Sequence, residues 1–387
     1  MTRRALLVVA AAAASAVFLV TVPTFRHFFD LGVYRGAVRY WLLDGGDLYD
    51  FRYQDTEYGF TYPPFAALLF SPLAGTSWVL AVALGLLVNA AAVVVLLRWF
   101  LVPLLRERGS DVWFPAALAF LAFLLFEPSR DTFSYGQINL VLLVLVCADL
   151  RPYRFRGLGI GVAAAIKLTP AVFIGYLIVS RQYRAAAAAA GTAAGATVLA
   201  FLIAPDASRV FWTDALWDTG RVGRAEYVSN QSLRGVFARL AAPTPWWVVA
   251  VLLVLAYWIW WVRTRRPDDA AGFAVTGMVA CLISPVTWVH HLVWLIPGLF
   301  LLLSRAWPSP RRTAALGVVF VLLSSSLVWL WWADPFGWPA FLGSNAYVWV
   351  TIALMVAVST RRVPVWRSRY VTTSRSGRTS RNGPSLS

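Results

Sequence analysis

A polar stretch rich in acidic and aromatic residues directly follows the first apolar segment of the chain. Asp30 opens this stretch at the expected membrane boundary, and a Tyr-Pro-Pro sequence starting at Tyr62 closes it. A carboxyl group partly withdrawn from water has a raised pKa, so its carboxylate accepts a proton from a hydroxyl group more readily. Asp30 is therefore a candidate general base. Asp44, Asp47 and Asp50 are weaker candidates, because the Asp-Gly-Gly-Asp setting is typical of a turn. The alternative is that Asp30 caps an amphipathic helix at the interface.

Two adjacent histidines, His290 and His291, follow a Ser-Pro break at Ser284. Near neutral pH a histidine serves as an acid, a base or a hydrogen-bond partner. The pair is therefore a second candidate for proton transfer or for binding hydroxyl groups. The alternative is packing at the interface beside Trp288 and Trp294. No third ligand lies at a helical spacing from the pair, so we expect no metal site.

The only lysine of the chain, Lys167, lies in a Lys-Leu-Thr-Pro sequence inside an apolar segment. By helical rise it is about halfway into the bilayer, roughly 16 Å beyond Arg156. A buried amine at that depth costs several kcal/mol unless it is paired. We expect Lys167 to contact a phosphate or a carboxylate, because broken helices at membrane depth normally line cavities. The alternative is that carbonyl groups freed by the break at Pro170 satisfy the amine.

Arginines are unusually frequent in the polar segment 205–245. Arg224 and Arg234 flank a Ser-Asn-Gln-Ser sequence that contains Asn230 and Gln231. Guanidinium groups stabilise negative charge that develops on a leaving phosphate, and amides suit the recognition of sugars or phosphates. The alternative is a solvated loop in which arginines pair with the neighbouring acids.

A weaker version of the same pattern precedes a later apolar segment. Arg130 is followed by Gln137 and Asn139, so a cation again stands close to amide side chains. These three residues are further candidates for substrate binding.

The elements that position these residues are expected to be membrane helices. Hydrophobic residues make up 59% of the 387 residues, charged residues only 13%, and the mean hydropathy is +0.66. This is too apolar for a soluble domain. The net charge of +16 raises the possibility of nucleic-acid binding, but the basic residues are spread between apolar segments and form no single patch. We therefore expect no nucleic-acid partner and contact with membrane lipids instead.

The sequence predicts an all-α polytopic membrane protein with about ten spans and a broken, re-entrant helical pair over 157–180. If 157–180 returns to the side from which it enters, most arginines fall on the cytoplasmic side, as the positive-inside rule requires, and both termini are cytoplasmic. Residues 1–360 then form the membrane domain, and 361–387 form a basic tail that we expect to be disordered. The predicted spans are 5–25, 76–98, 112–127, 137–149, 184–204, 246–262, 270–283, 288–303, 313–332 and 346–360.

The order of these motifs resembles glycosyltransferase family 87, which comprises C-type membrane enzymes. The resemblance rests on five elements and covers most of residues 1–360. No single motif is decisive, but the ordered set is fairly specific. The elements are Asp-Leu-Gly-Val-Tyr from Asp30, Tyr-Pro-Pro from Tyr62, Gly-Gln-Ile-Asn from Gly136, Lys-Leu-Thr-Pro from Lys167, and Ser-Pro at Ser284 before His290 and His291.

The family includes actinobacterial polyprenyl-phosphate-mannose-dependent α-1,2-mannosyltransferases. The resemblance therefore implies inverting transfer of mannose from polyprenyl-phosphate-mannose to a lipid-linked mannoside acceptor at the outer face of the cytoplasmic membrane. It also implies that Asp30 matches the catalytic base, that His290 and His291 share the site, and that no cofactor is needed beside the lipid-linked donor. The candidates for substrate binding are Tyr34, Arg35, Tyr62, Arg130, Gln137, Asn139, Lys167, Arg224, Asn230, Gln231 and Arg234.

Other classes of function fit the sequence less well. A nucleotide-sugar enzyme is disfavoured, because the sequence has neither a Gly-rich phosphate loop after a strand nor an Asp-x-Asp motif. A lipid or sugar transporter, or a flippase, would favour paired ionisable groups at mid-membrane and inverted repeats, and neither is evident. A structural scaffold would not need the arginine-rich segment 205–245. Within the enzyme class, transfer of another sugar such as arabinose is the nearest alternative.

Overall fold

The computed structural model describes residues 2–360 except for Pro23, 152–154 and Pro308. The described residues are helical or irregular and include no strand. The α-helices, numbered in chain order, are α1 Arg3–Thr21, α2 Phe29–Leu42, α3 Pro64–Phe70, α4 Trp78–Leu96, α5 Val102–Glu107, α6 Trp113–Leu125, α7 Glu127–Tyr135, α8 Asn139–Ala148, α9 Leu158–Ile166, α10 Val172–Val179, α11 Tyr183–Ile203, α12 Pro205–Val210, α13 Leu233–Arg239, α14 Thr244–Arg265, α15 Asp269–Ile283, α16 Ile296–Ala306, α17 Pro310–Leu322, α18 Gly337–Ala340 and α19 Ala346–Ser359. The 3₁₀ segments are Ser71–Leu73, Thr169–Ala171, Thr219–Val222, Val289–Leu295 and Leu327–Trp331, and the π segments are Leu97–Leu101 and Phe211–Ala215.

Five helical segments within the described ranges are long and apolar enough to cross a membrane. They coincide with five of the spans expected from the sequence. The first four expose large apolar side chains, as lipid contact requires, whereas the apolar window of Val289–Ala306 is 61% buried within the protein. The segments are Arg3–Thr21, Trp78–Glu107, Tyr183–Ile203, Thr244–Arg265 and Val289–Ala306.

The other five expected spans correspond to shorter helices. Four of them are α6, α8, α15 and α19, with 10 to 15 residues each. The fifth, 313–332, is divided between α17 and the 3₁₀ segment Leu327–Trp331. Helices α6, α15 and α19 are confirmed as apolar, and α8 is long and apolar enough to span only together with α7. The total of ten spans stays a prediction. The tail 361–387 lies outside the described residues.

The polar segment 128–136, between the predicted spans 112–127 and 137–149, is helical. Helix α7 occupies it and ends at Gly136, whose positive φ of 70° allows the sharp change of direction into α8. The two helices are bent by 117° relative to each other. The sequence of α7 is polar, and some of its side chains hydrogen bond in the protein interior. Glu127, for example, is fully buried and accepts hydrogen bonds from two aromatic side chains.

The break expected within 157–180 is present. Helix α9 ends at Ile166, Lys167 has extended backbone (φ −147°, ψ 132°), and a 3₁₀ turn then leads into α10. Helix α9 packs closely on α11. Small residues allow this approach, because a Cβ on Gly161 would lie 2.5 Å from the carbonyl oxygen of Ala189.

The first polar stretch folds as an ordered unit against the membrane helices. Helix α2 starts after Phe28, which has left-handed backbone (φ 53°) and no side-chain cap. Tyr34 on α2 stacks on Phe70 with ring centroids 4.7 Å apart. Asp30 therefore lies in the first turn of α2 and does not cap the helix, so the capping alternative is wrong.

Candidate active site

One cavity of about 800 Å³ lies where the polar stretch, the α7–α8 bend, the Lys167 break and the segment before α16 meet. Its lining is mixed, with ionisable groups beside aromatic and aliphatic side chains. Seven residues expected from the sequence line this cavity: Asp30, Tyr34, Tyr62, Gln137, Lys167, His290 and His291. Side chains that are distant in sequence, from α2 to the histidine pair, thus share one chamber.

Asp30 combines a raised pKa with a free carboxylate oxygen. Burial raises the pKa of the Asp30 carboxyl to about 6, while a hydrogen bond from Gln137 and the positive charge of Lys167 lower it. Its position in the first turn of α2 also favours the charged form, since helix N-termini stabilise negative charge. The Oδ2 atom is buried and has no hydrogen-bond partner among the described residues. A carboxylate in this state is prepared to accept a proton from a bound hydroxyl group.

Lys167, at the break between α9 and α10, contacts three side chains. Its Nζ donates to Asn139 Oδ1 at 3.1 Å and to the Tyr62 hydroxyl oxygen at 3.3 Å, and it lies 3.0 Å from His291 Nε2. The amine is thus partnered by side chains, and not by carbonyl groups of the break as the alternative supposed. Its position on the cavity lining leaves it able to approach an anionic ligand.

The two rings of the histidine pair have different surroundings. His291 Nδ1 lies 3.2 Å from the backbone nitrogen of Trp288, while Nε2 faces Lys167. A neutral imidazole accepts a hydrogen bond at only one nitrogen, so the proton position on His291 is linked to the charge on Lys167. His290 is buried against Tyr135, with centroids 5.1 Å apart. Because His291 Nε2 faces Lys167, His291 is less suited than Asp30 to accept a proton. His290 Nε2, like Asp30 Oδ2, is buried without a hydrogen-bond partner among the described residues.

A chain of hydrogen bonds connects the tyrosines to Gln137. The Tyr34 and Tyr62 hydroxyl oxygens are 2.8 Å apart, and Tyr62 donates to Gln137 Oε1 at 3.0 Å. Burial raises the pKa of both phenols, so both stay protonated at neutral pH. The chain fixes the Gln137 amide, which in turn hydrogen bonds to Asp30.

Several arginines expected to bind substrate lie outside the cavity lining. Arg35 donates to a backbone carbonyl before α4 at 2.6 Å, and Arg130 donates to the Ser326 hydroxyl at 2.6 Å. The Arg234 guanidinium lies 5.2 Å from the centre of an indole ring, and Arg224 is exposed. The structure gives the first three arginines contacts within the protein, and their role in binding substrate stays a prediction.

Asn230 and Gln231 are fully buried and connect chain segments. The Asn230 Oδ1 atom accepts the backbone N–H of Thr287 at 2.9 Å, and Gln231 Nε2 donates to the carbonyl of Ser344 at 2.8 Å. Both contacts tie the segment 225–232 to neighbouring loops. Their neighbour Ser229 reaches the cavity lining, so the two amides stabilise a wall of the site from behind.

The sequence did not single out Arg221, which lines the cavity. Its side chain is 16% exposed, Nη1 donates to the Tyr49 carbonyl at 2.8 Å, and Nε lies 3.3 Å from Asp218 Oδ2. The segment 205–245 contains several arginines in similar polar surroundings, and no local pattern distinguishes Arg221 from Arg224. Only the contacts in the folded protein distinguish the two arginines.

Comparison with known proteins agrees with the resemblance in the motifs. Residues 60–285 match the model of glycosyltransferase family 87. The chain is 32% identical over 365 residues to the polyprenol-phosphate-mannose-dependent alpha-(1-2)-phosphatidylinositol mannoside mannosyltransferase of Mycobacterium tuberculosis, covering 84% of this chain and 83% of that protein. A protein of the same description from Mycolicibacterium smegmatis is 37% identical over 301 residues, with 70% and 68% covered.

A further relative in Mycolicibacterium smegmatis is a polyprenol-phosphate-mannose-dependent alpha-(1-2)-phosphatidylinositol pentamannoside mannosyltransferase. It is 31% identical over 359 residues, covering 87% of this chain and 84% of that protein. No solved structure matches the chain with significance. The family model spans more than half of the chain, and the relatives align over most of it. The chain belongs to glycosyltransferase family 87.

Proposed function

We propose that this protein transfers mannose from polyprenyl-phosphate-mannose to a phosphatidylinositol mannoside or a similar lipid-linked mannoside. The observation that carries the proposal is the shared cavity, in which a carboxylate with a free oxygen and a partnered lysine line the same space. A base for a hydroxyl group and a cation for a phosphate are the two groups that transfer from a sugar phosphate needs. The described activities of the relatives support this choice of donor and acceptor.

The proposed reaction is one displacement at the anomeric carbon. The acceptor hydroxyl oxygen attacks that carbon and forms the new glycosidic bond, while the bond from the anomeric carbon to the phosphate oxygen breaks. The electron pair of the broken bond leaves with polyprenyl phosphate, and Asp30 takes the hydroxyl proton. Attack opposite to the leaving group inverts the anomeric centre, so a β-mannosyl phosphate gives an α-mannoside. A single carboxylate base is enough for this step.

Lys167 provides charge that is already in place when the phosphate leaves. Preorganised positive charge in a site shielded from water stabilises a developing anion more than it would in bulk water. The contacts with Asn139 and Tyr62 hold the amine without placing a carboxylate directly on it. In this proposal the Lys167 charge stays available for the phosphate.

The proposed orientation has the site on the outer side of the cytoplasmic membrane, with about ten spans, a re-entrant pair over 157–180 and both termini in the cytoplasm. The distribution of arginine along the sequence supports this orientation. With the amino terminus in the cytoplasm, Asp30, which follows the first long apolar helix, lies on the outer side.

Incubation of the purified protein with polyprenyl-phosphate-mannose and a panel of mannosylated lipids tests the function. We expect mass spectrometry to find one added hexose on a phosphatidylinositol mannoside and an equivalent release of polyprenyl phosphate. A parallel reaction with polyprenyl-phosphate-arabinose tests the nearest alternative donor. Transfer of arabinose without transfer of mannose, or movement of lipid across vesicles without any new glycosidic bond, would overturn the proposal.

A further inference from the structure

Part of the cavity lining is a connected set of aromatic rings, which we call the aromatic wall: Phe29, Tyr58, Tyr227 and Trp288. Phe29 and Tyr58 meet edge to face at 5.9 Å, and Tyr227 and Trp288 do so at 6.0 Å. Gly223 joins the two pairs, because a Cβ there would lie 3.1 Å from the Trp288 ring and 3.5 Å from the Tyr58 ring. The wall therefore combines rings from segments that are distant in sequence.

The rings of the wall are half-buried, unlike the aromatic residues of the core. Tyr34 and Phe60, for comparison, are 2% and 0% exposed. A half-buried ring on a cavity lining keeps part of its apolar surface available to a ligand. Tyr and Trp also carry a polar group, so they suit ligands that have both C–H faces and hydroxyl groups. Sugars are ligands of this kind.

A different part of the cavity lining, next to Lys167, is aliphatic. Leu168, Val172 and Ile283 line the cavity there, where the broken helix continues into α10. A cation next to aliphatic side chains matches a phosphate attached to a hydrocarbon chain. The donor lipid therefore fits this side of the cavity, and the aromatic wall remains for the other substrate.

We propose that the aromatic wall is the binding subsite for the acceptor sugar, in which the ring of the attacking mannose stacks on Trp288 and Tyr227. The inference rests on the proposed function and specifies which substrate each part of the cavity holds. Phe29 of the wall and Asp30 line the same cavity, so a sugar on the wall shares the chamber with the base that must take its proton. The Tyr227 ring is itself fixed by edge contacts with Trp329 and Trp332, at 5.9 and 6.5 Å.

The test is steady-state kinetics in which the acceptor and the donor are varied separately. For Trp288→Ala we expect the KM for the mannoside acceptor to rise roughly three- to tenfold, the range typical for loss of one aromatic contact. The KM for polyprenyl-phosphate-mannose should change less than about twofold, because the proposal places the donor against Lys167 and the aliphatic part of the lining. Trp288→Phe, which keeps a ring, should recover most of the acceptor affinity. Trp217→Ala is the matched control, because Trp217 is 72% exposed and lies outside the cavity lining.

The outcomes separate this inference from the proposed function. Failure of the unaltered protein to transfer mannose contradicts the function itself. Transfer by the unaltered protein, with a rise in the donor KM and not the acceptor KM in Trp288→Ala, contradicts the assignment of the wall. Unchanged constants in both Trp288→Ala and Tyr227→Ala contradict it as well. If Trp288→Ala does not give a monodisperse protein, Tyr227→Ala decides, since this substitution must raise the acceptor KM and leave the donor KM unchanged.

Discussion

Asp30 shows how a common side chain acquires a special role from its surroundings. Asp44 and Asp47 belong to the same polar stretch, but both are exposed and neither lines the cavity. Asp30 instead has a carboxylate oxygen withdrawn from water without a hydrogen-bond partner in the described part of the chain. The sequence indicates Asp30 through its position after an apolar segment and through the family motif. It does not indicate the contact with Gln137, which depends on how distant segments pack.

Replacing Asp30 by Asn is expected to reduce mannose transfer on the order of a thousandfold, because an amide cannot accept the hydroxyl proton. The shape of the side chain is preserved, so insertion and thermal stability should not fall. Asp44→Asn is the matched control and should transfer at the normal rate. Initial rates by mass spectrometry provide the measurement, and a rate within about tenfold of normal for Asp30→Asn would move the base to another residue.

The pH dependence of transfer follows from the raised pKa of Asp30. Its carboxylate is the active form, so kcat/KM should increase with pH and level off above an apparent pKa of about 6. Below that pH the rate should fall about tenfold per pH unit. Since the charge of Lys167 lowers the pKa of Asp30, Lys167→Met should move this limb to higher pH as well as reduce the rate. A pH profile without a limb between about pH 5 and 7 would contradict the role of Asp30.

At the scale of helices, the apolar runs predict five long spans, whereas the other five predicted spans correspond to shorter helices. The five long spans follow from their hydropathy, and the break at Lys167 follows from its Thr-Pro sequence. The polar sequence of α7 lies between two predicted spans and gives no apolar signal, yet the segment is helical. Two of its charged side chains, Arg130 and Glu127, hydrogen bond to residues more than a hundred positions away, namely Ser326 and Tyr347, and no local pattern contains that information.

The packing of α9 on α11 gives a prediction with an internal control. Gly161→Ala should lower the thermal stability of the detergent-solubilised protein, because the added methyl group meets the Ala189 carbonyl. A methyl group added at Gly191 on α11 would meet no atom within 4 Å, so Gly191→Ala should leave stability unchanged or raise it by up to about 1 kcal/mol through helix propensity. Loss of the monodisperse chromatographic peak on heating is the measurement. Equal effects of the two substitutions would argue against close packing of the two helices.

For the molecule as a whole, orientation in the membrane is the property on which the proposed function depends. Single cysteines at Asp55 and Arg266, both exposed, report the two sides in the proposed topology. In intact cells a membrane-impermeant maleimide should label Asp55→Cys, and it should label Arg266→Cys only after permeabilisation. The native Cys147 and Cys281 are buried and should stay unlabelled, so the unaltered protein is the control. Labelling of Arg266→Cys in intact cells would show that the membrane orientation is opposite to the proposed one.

The Glu127 carboxylate connects parts of the molecule that the chain order separates widely. One oxygen holds the Trp329 indole, whose ring supports Tyr227, and the other accepts the Tyr347 hydroxyl of α19. Glu127 thereby links α19, the last described helix, to the indole that supports the aromatic wall of the cavity. Substitutions in α19 that break the contact with Glu127 are accordingly expected to weaken binding of the acceptor sugar, even though no residue of α19 lines the cavity.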